Sequence, residues 1–138
     1  MKHKLEQRVY YSDTDAYGVT WHGSYLRWME MARVEFCTVA GIDLIELADN
    51  DVTIPVTNIN IRYKSPAKLD DKVLIETEII KISPITTTFR QVIKNLETEK
   101  VYTSAEVEVV AIHNDGRLYR RLPEQLVQKL EEAMECKD

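Results

Sequence analysis

The feature that most constrains the fold is an apolar segment, Ser24–Ala40, that lies ahead of a long stretch of alternating residues. Apolar side chains occupy most of its positions, and Gly41 follows it as a helix stop. This pattern predicts a helix that is buried on nearly every side. The segment is too short and too charged to be a membrane span.

Stretches with the alternation of β-strands follow this helix. Apolar and polar residues alternate at positions 59–64, 73–79, 89–93 and 101–111. A further strand is predicted before the helix, at Leu5–Tyr11. One long helix beside a large antiparallel sheet is an α+β arrangement, in which we expect the sheet to curve around the helix.

The turn signals agree with this plan. Asn95–Lys100 is a candidate hairpin, and Asn114–Gly116 contains a glycine that tolerates positive φ. Pro123 fits the first position of a short last helix. We predict one α+β domain over residues 1–138, with about five strands, whose sheet edges are protected by pairing with a second copy.

Charge and cysteine content exclude several classes of protein. A net charge of −5 argues against a general nucleic-acid binder. Cys37 and Cys136 lie far apart and indicate neither a disulfide framework nor a zinc site. The first residues lack the apolar core of a secretion signal, and no stretch is long enough to cross a membrane. We therefore expect a cytoplasmic protein.

The residues that carry chemistry lie directly before the predicted helix, at positions 11–25, and include Asp13, Asp15 and His22. A helix N-terminus offers free backbone N–H groups and a positive partial charge, which can hold an oxyanion. A carboxylate beside it is sufficient for acyl transfer to water. Aspartates at this spacing are otherwise common as turn residues that cap local N–H groups.

This motif, together with Arg27–Glu30, resembles the 4-hydroxybenzoyl-CoA thioesterase family of the hotdog fold. It is most similar to a branch of bacterial acyl-CoA thioesterases in which a histidine follows the second aspartate by seven positions, as His22 does here. The stretch Ile54–Lys64, followed by Ser65–Ala67 and Asp70–Asp71, also matches the family's spacing. The resemblance covers nearly the whole chain.

The resemblance implies a hotdog thioesterase, with a long central helix wrapped by the sheet, that hydrolyses an acyl thioester of CoA or of acyl-carrier protein. It implies a homodimer or homotetramer in which two subunits build each site, and no metal or redox cofactor. Two alternatives are a non-catalytic acyl-CoA-binding domain and an acyl-thioester hydratase or dehydratase. Thiol release, binding without turnover, or a change in the acyl double bond would separate them.

By the same resemblance, Asp15 is the catalytic aspartate, either as a nucleophile that forms a mixed anhydride or as a general base on water. Asp13 is interpreted as structural. The backbone N–H of His22 would face the thioester carbonyl, and its side chain would donate to that oxygen or orient Asp15. The alternative for His22 is a surface histidine that simply precedes a helix.

Five further residues are candidates for substrate binding: Tyr11, Gly18, Trp21, Glu30 and Asn60. Gly18 permits a close approach of substrate, or is an ordinary turn residue. Tyr11 lines the pocket, bonds the carboxylate, or is a plain strand aromatic in the core. Trp21 either forms a wall of the site or simply packs. Glu30 matches an acidic residue that contacts the distal acyl group in the aromatic-acyl member. The alternative is an ion pair with Arg27 or Arg33, three positions away on either side. Asn60 matches a family asparagine.

One departure from the family concerns the CoA nucleotide. The comparison enzyme has a basic run after its third strand, where this chain has Ser83–Thr88. A phosphate site here would have to use other basic residues: Lys64, Lys81, Arg90, Lys94, Arg117, Arg120 or Arg121. All of them are otherwise expected as solvated surface charges, so acyl-carrier protein stays open as the carrier.

Overall fold

A computed structural model describes residues 1–136, which form five strands and three α-helices. In chain order these are β1 (Lys2–Arg8), α1 (His22–Val39), α2 (Leu44–Asp49), β2 (Val56–Tyr63), β3 (Lys72–Ile82), β4 (Thr86–Asn95), β5 (Val101–Val110) and α3 (Glu124–Glu135). The α+β hotdog plan with about five strands, a long helix and a short C-terminal helix is confirmed.

The strands form one antiparallel sheet in the order β1-β3-β4-β5-β2. Its inner face is apolar because alternate residues of neighbouring strands align there, as Ile75, Ile93 and Thr103 do. The outer face is polar and contains ion pairs such as Glu76 with Lys94, at 3.2 Å. The strands β1 and β2 are the two edges of the sheet, and β2 is exposed along almost its whole length.

Helix α1 lies on the inner face of the sheet, with α3 beside its C-terminal half. Its buried residues follow a helical spacing along one stripe, which includes Tyr25, Trp28, Ala32 and Phe36. The prediction that α1 is buried on nearly every side is wrong for a single chain, since Val39 and other apolar residues of its far side are exposed. This apolar surface is left open because the sheet covers only one side of the helix.

Two local predictions also need correction. The first strand ends at Arg8 rather than at Tyr11, because the chain turns into a 3₁₀ helix at Tyr11–Asp13. Helix α2 was not predicted, although Asp43 caps it by accepting the N–H groups of Ile45 and Glu46. Within residues 1–136, no helix has both the length and the apolar character that a membrane crossing requires.

Candidate active site

The loop ahead of α1 is fixed by Asp13, whose side chain is 1% exposed. The carboxylate accepts the backbone N–H of Tyr10 at 2.9 Å and is ion-paired with Arg27. The backbone carbonyl of Asp13 accepts the N–H of Trp21 at 2.8 Å and the hydroxyl of Ser24 at 2.9 Å. Asp13 thus ties the start of this loop to the start of the helix, which agrees with the structural role predicted for it.

Asp15 begins a tight turn within this loop. Its backbone N–H donates to the carbonyl of Val19 at 2.9 Å, and its carbonyl accepts the N–H of Gly18 at 3.0 Å. Gly18 has φ +80°, a conformation that side chains disfavour. The Oδ1 atom of Asp15 accepts the N–H of Tyr17 at 2.9 Å, whereas Oδ2 has no hydrogen-bond partner among residues 1–136. One carboxylate oxygen is therefore available for chemistry.

Helix α1 begins beside this turn, and its first amides have no side-chain cap. A helix leaves its first N–H groups without internal partners, so those of His22 and Gly23 face outward with a positive partial charge. The hydroxyl of Tyr63 donates to the carbonyl of His22 at 3.2 Å, which ties the helix start to the end of β2. A Cβ on Gly23 would lie 2.3 Å from the ring of Trp21, so this ring covers the backbone there.

These parts meet at a cavity of about 300 Å³, which we call the Asp15 cavity. It is lined by Asp15, Thr20, His22, Tyr25, Tyr63, Lys64, Ser65 and Pro66. The hydroxyl of Ser65 is buried without a hydrogen-bond partner among the described residues. That of Thr20 lies near the Tyr25 hydroxyl but does not reach hydrogen-bonding geometry with it. Unsatisfied buried hydroxyls at a cavity wall are suited to a polar ligand.

Burial also perturbs the two tyrosines of the cavity. It raises the pKa of Tyr25, whose hydroxyl oxygen accepts the N–H of Ala67 at 2.9 Å. It likewise raises the pKa of Tyr63. Both phenols are therefore protonated at neutral pH and act in the cavity as neutral hydrogen-bonding groups.

Known proteins resemble this chain in sequence and in fold. The model of the thioesterase-like superfamily matches residues 9–130. The chain belongs to the thioesterase-like superfamily. The protein named acyl-CoA thioester hydrolase YbgC, from Escherichia coli O6:H1, is 37% identical over 120 residues, which are 87% of this chain and 89% of that protein. The predicted enzyme class, a thioester hydrolase of the hotdog fold, is thereby confirmed.

Solved structures support the same family. The DHNA-CoA thioesterase from Staphylococcus aureus has a TM-score of 0.85 and 26% identity to this chain, over 96% of this chain and 87% of that one. A 4-hydroxybenzoyl CoA thioesterase in complex with 4-hydroxybenzoyl CoA has a TM-score of 0.85 over 94% of this chain and 98% of that one. Its identity is 20%, so this likeness supports the fold alone.

The structure brings the two predicted catalytic residues, Asp15 and His22, to one cavity. The side chain of Trp21 is half-exposed beside His22, with ring centroids 5.2 Å apart. Gly18 shapes the turn behind Asp15. Tyr11 is 81% exposed in the 3₁₀ helix, so it neither lines the cavity nor packs in the core.

Glu30 and Asn60 lie elsewhere. Glu30 is exposed on α1 and lines a second pocket, so the predicted burial of this helix does not extend to its carboxylate. No ion pair of Glu30 is found among residues 1–136, although its charge acts on Arg33 through space. Asn60 is exposed opposite Glu106, on the outer face of the sheet. Neither side chain lines the Asp15 cavity of its own chain.

Sequence reasoning missed the far wall of the cavity. Tyr63, Lys64, Ser65 and Pro66 reach it because β2 ends there and the chain then turns back toward the helix start. Lys64 was named only as one of several basic residues that could bind a phosphate. The other three had no signal beyond the spacing match of residues 54–67 to the family, which did not indicate a site. Tyr25 was treated as part of the helix, although its hydroxyl faces the cavity wall.

The basic residues divide into two groups. Arg90, Lys94 and Arg117 are ion-paired with acidic residues of the sheet and of the turn after it. Lys64 instead lines the Asp15 cavity, and no ion pair of Lys64 is found in the described part of the chain. Within the same residues, no group of three or more histidine, cysteine or acidic side chains is placed to hold a metal ion.

Proposed function

We propose that this chain hydrolyses the thioester bond of an acyl-CoA at the Asp15 cavity. The observation that supports this most directly is the position of Asp15, with one unbonded carboxylate oxygen, on the same cavity as the uncapped start of α1. The acyl-CoA thioesterase named among its relatives supports the same reaction. A carboxylate beside free helix amides matches the two demands of the reaction, a base or nucleophile and an oxyanion site.

The proposed reaction begins when the thioester carbonyl oxygen lies against the N–H groups at His22 and Gly23. As a general base, Asp15 takes a proton from water, and the resulting hydroxide attacks the carbonyl carbon. As a nucleophile, Asp15 attacks that carbon itself, and water then hydrolyses the mixed anhydride. Both routes collapse an oxyanion held by the helix start, expel the thiolate and release the free acid.

The side chain of His22 has a secondary role in this proposal. It is exposed at the cavity, and its backbone amide belongs to the oxyanion site whatever the side chain. Replacing His22 with alanine should therefore reduce turnover only in part. Replacing Asp15 should remove most of it.

The carrier is proposed to be CoA rather than acyl-carrier protein. Lys64 supplies a positive charge at the cavity, where a phosphate or the pantetheine arm would pass. If Lys64→Met raises KM for an acyl-CoA without changing KM for the acyl-carrier-protein thioester, this lysine contributes to binding the nucleotide. Equal activity of the two carriers with the wild-type chain would contradict the preference for CoA.

We also propose a homodimer that forms through the exposed edge of β2, with pairing into a tetramer as the alternative. An open edge strand offers unpaired backbone groups that a second copy can satisfy. One end of β2 lies at the Asp15 cavity, so the pairing would place a partner beside each site. A monomeric mass in light scattering at micromolar concentration would contradict the proposal. The cytoplasmic location belongs to the same proposal and is tested by cell fractionation.

The decisive experiment is thiol release from a panel of acyl-CoAs by the wild type and by Asp15→Asn. The amide keeps the hydrogen bond from Tyr17 but cannot take a proton or attack, so we expect about 10²- to 10⁴-fold loss of kcat. Asp49→Asn is the matched control, because Asp49 is exposed on α2 and does not line the cavity. An Asp15→Asn enzyme with wild-type kcat would exclude this mechanism.

A further inference from the structure

A second pocket lies at the opposite end of α1 from the Asp15 cavity. Its volume is about 370 Å³, which is within the range of small-molecule sites. Its wall is mainly apolar and is formed by α1, the start of β2, the sheet and α3, with residues such as Phe89, Leu126 and Leu130. His22 lines the Asp15 cavity and Cys37 lines the second pocket. At a rise of ~1.5 Å per residue, these two residues are about 22 Å apart along the helix.

One positive charge is built into this apolar wall. Arg33 is partly buried there, and its Nη1 donates to Oε1 of Gln91 at 2.9 Å. Gln91 is 0% exposed and is held in turn by the carbonyl of Met29 and the hydroxyl of Thr77, to each of which its amide donates at 2.9 Å. The guanidinium is therefore positioned by a buried network rather than left free at the surface.

The charge of Arg33 is not neutralised by a contacting carboxylate. Among residues 1–136 no ion pair of Arg33 is found, and Glu30 acts on it only through space. Burial of a cation without a partner is costly, so a bound anion would be stabilised there. The hydroxyl of Thr87, 1% exposed, lines the same pocket and has no hydrogen-bond partner in the described part of the chain.

We propose that this pocket, the Arg33 pocket, binds an apolar chain that carries a carboxylate, with Arg33 and the Thr87 hydroxyl recognising the carboxylate. The apolar wall packs against the chain, and the remaining N–H groups of the guanidinium donate to the two carboxylate oxygens. Glu30, at the wall one turn earlier, opposes the anion and limits its affinity. The ligand class follows from an apolar cavity whose one cation is not contacted by a carboxylate.

Such a carboxylate has two sources. A free fatty acid, which is the product of thioester hydrolysis, would bind independently of catalysis. The distal carboxylate of a dicarboxylic acyl thioester would bind as part of the substrate, and this source rests on the proposed function. This second source also requires a second copy of the chain. Residues 54–56 line the Arg33 pocket and residues 63–66 line the Asp15 cavity, at opposite ends of β2. Antiparallel pairing of two β2 edges would therefore bring each Arg33 pocket beside a partner's Asp15 cavity.

The test is calorimetric binding of decanoate and of decanol, which have the same chain and differ in charge. We expect the wild type to bind decanoate at least about tenfold more tightly, as a charge-assisted hydrogen bond implies. Arg33→Met should lose this preference while keeping its affinity for decanol, which also shows that the pocket remains folded. Glu30→Gln should increase the preference. Arg90→Met is the matched control, since Arg90 is ion-paired on the other face of the sheet.

Equal affinities for decanoate and decanol in the wild type, or an unchanged preference in Arg33→Met, would overturn the proposal. The source is identified by thiol release from monocarboxylic and dicarboxylic acyl-CoAs of equal length. If the wild type prefers the dicarboxylic acyl-CoA and Arg33→Met abolishes this preference, the carboxylate in the pocket belongs to the substrate. If the wild type shows no such preference, the ligand is the free fatty acid. Decanoate binding by a chain that releases no thiol from any acyl-CoA would refute the hydrolase proposal and leave this one standing.

Discussion

Substitution of Asp13 by alanine should destabilise the fold, although this residue lies outside the chemistry. The variant leaves the backbone N–H of Tyr10 without its acceptor, and hydrogen bonds to charged groups contribute ~1.5–3 kcal/mol. The ion pair with Arg27 adds at most ~1 kcal/mol, because the arginine side chain is 55% exposed and solvent screens the pair. We expect a total loss of about 1.5–4 kcal/mol in the free energy of unfolding.

Urea denaturation followed by tryptophan fluorescence measures this loss, with Asp49→Ala as the exposed control. Because Asp13 also positions the start of α1, its alanine variant should show reduced kcat even under conditions where it is fully folded. Asp15→Asn should show the opposite pattern, with normal stability and lost turnover. A loss below ~1 kcal/mol in Asp13→Ala would refute the anchoring role, because a buried charged acceptor cannot be removed so cheaply.

Two further predictions follow from ionisable groups. Burial raises the pKa of the Cys37 thiol to about 11, so little reactive thiolate is present at neutral pH. In a Cys136→Ser variant, thiol reagents should therefore label Cys37 at neutral pH only after denaturation. Rapid labelling of the native chain would contradict this prediction. The N–H of Asn114 and the ring of His113 lower the pKa of Asp51 below its ordinary 3.8, so its stabilisation is full above that value and is lost as pH falls through the lowered pKa. The urea midpoint of Asp51→Asn should therefore fall less at acid pH than the midpoint of the wild type. The same fall in both proteins would contradict a stabilising role of the Asp51 carboxylate.

The pattern of the chain predicted the main elements of the fold well, for a physical reason. Strands with one covered face require alternation, and the inner positions of β3, β4 and β5 show it over most of their length. The same kind of pattern gives the wrong result for α1. Apolar residues on its far side, such as Met31 and Val34, indicate burial, but they are exposed in the single chain. Composition does not distinguish an apolar helix face that the same chain covers from one that only a second chain could cover.

The candidate site was predictable only on one side. Asp15 and His22 are close in sequence, so a single motif places both at the helix start. Tyr63 and Ser65 reach the cavity through sheet pairing over a long separation, which no local signal encodes. Arg33 was seen only as a possible partner of Glu30, because its tie to Gln91 crosses from helix to sheet.

The two aspartates of the motif show how environment divides the roles of like residues. Asp13 is buried and satisfied by Tyr10 and Arg27, so any change in its charge would cost stability before it could serve a reaction. Asp15 keeps one oxygen unbonded at a cavity with partnerless hydroxyls, so a substrate can contact this oxygen without breaking a structural hydrogen bond. Hydrogen-bond satisfaction, rather than position in the motif, therefore separates the anchoring carboxylate from the one that we propose to react.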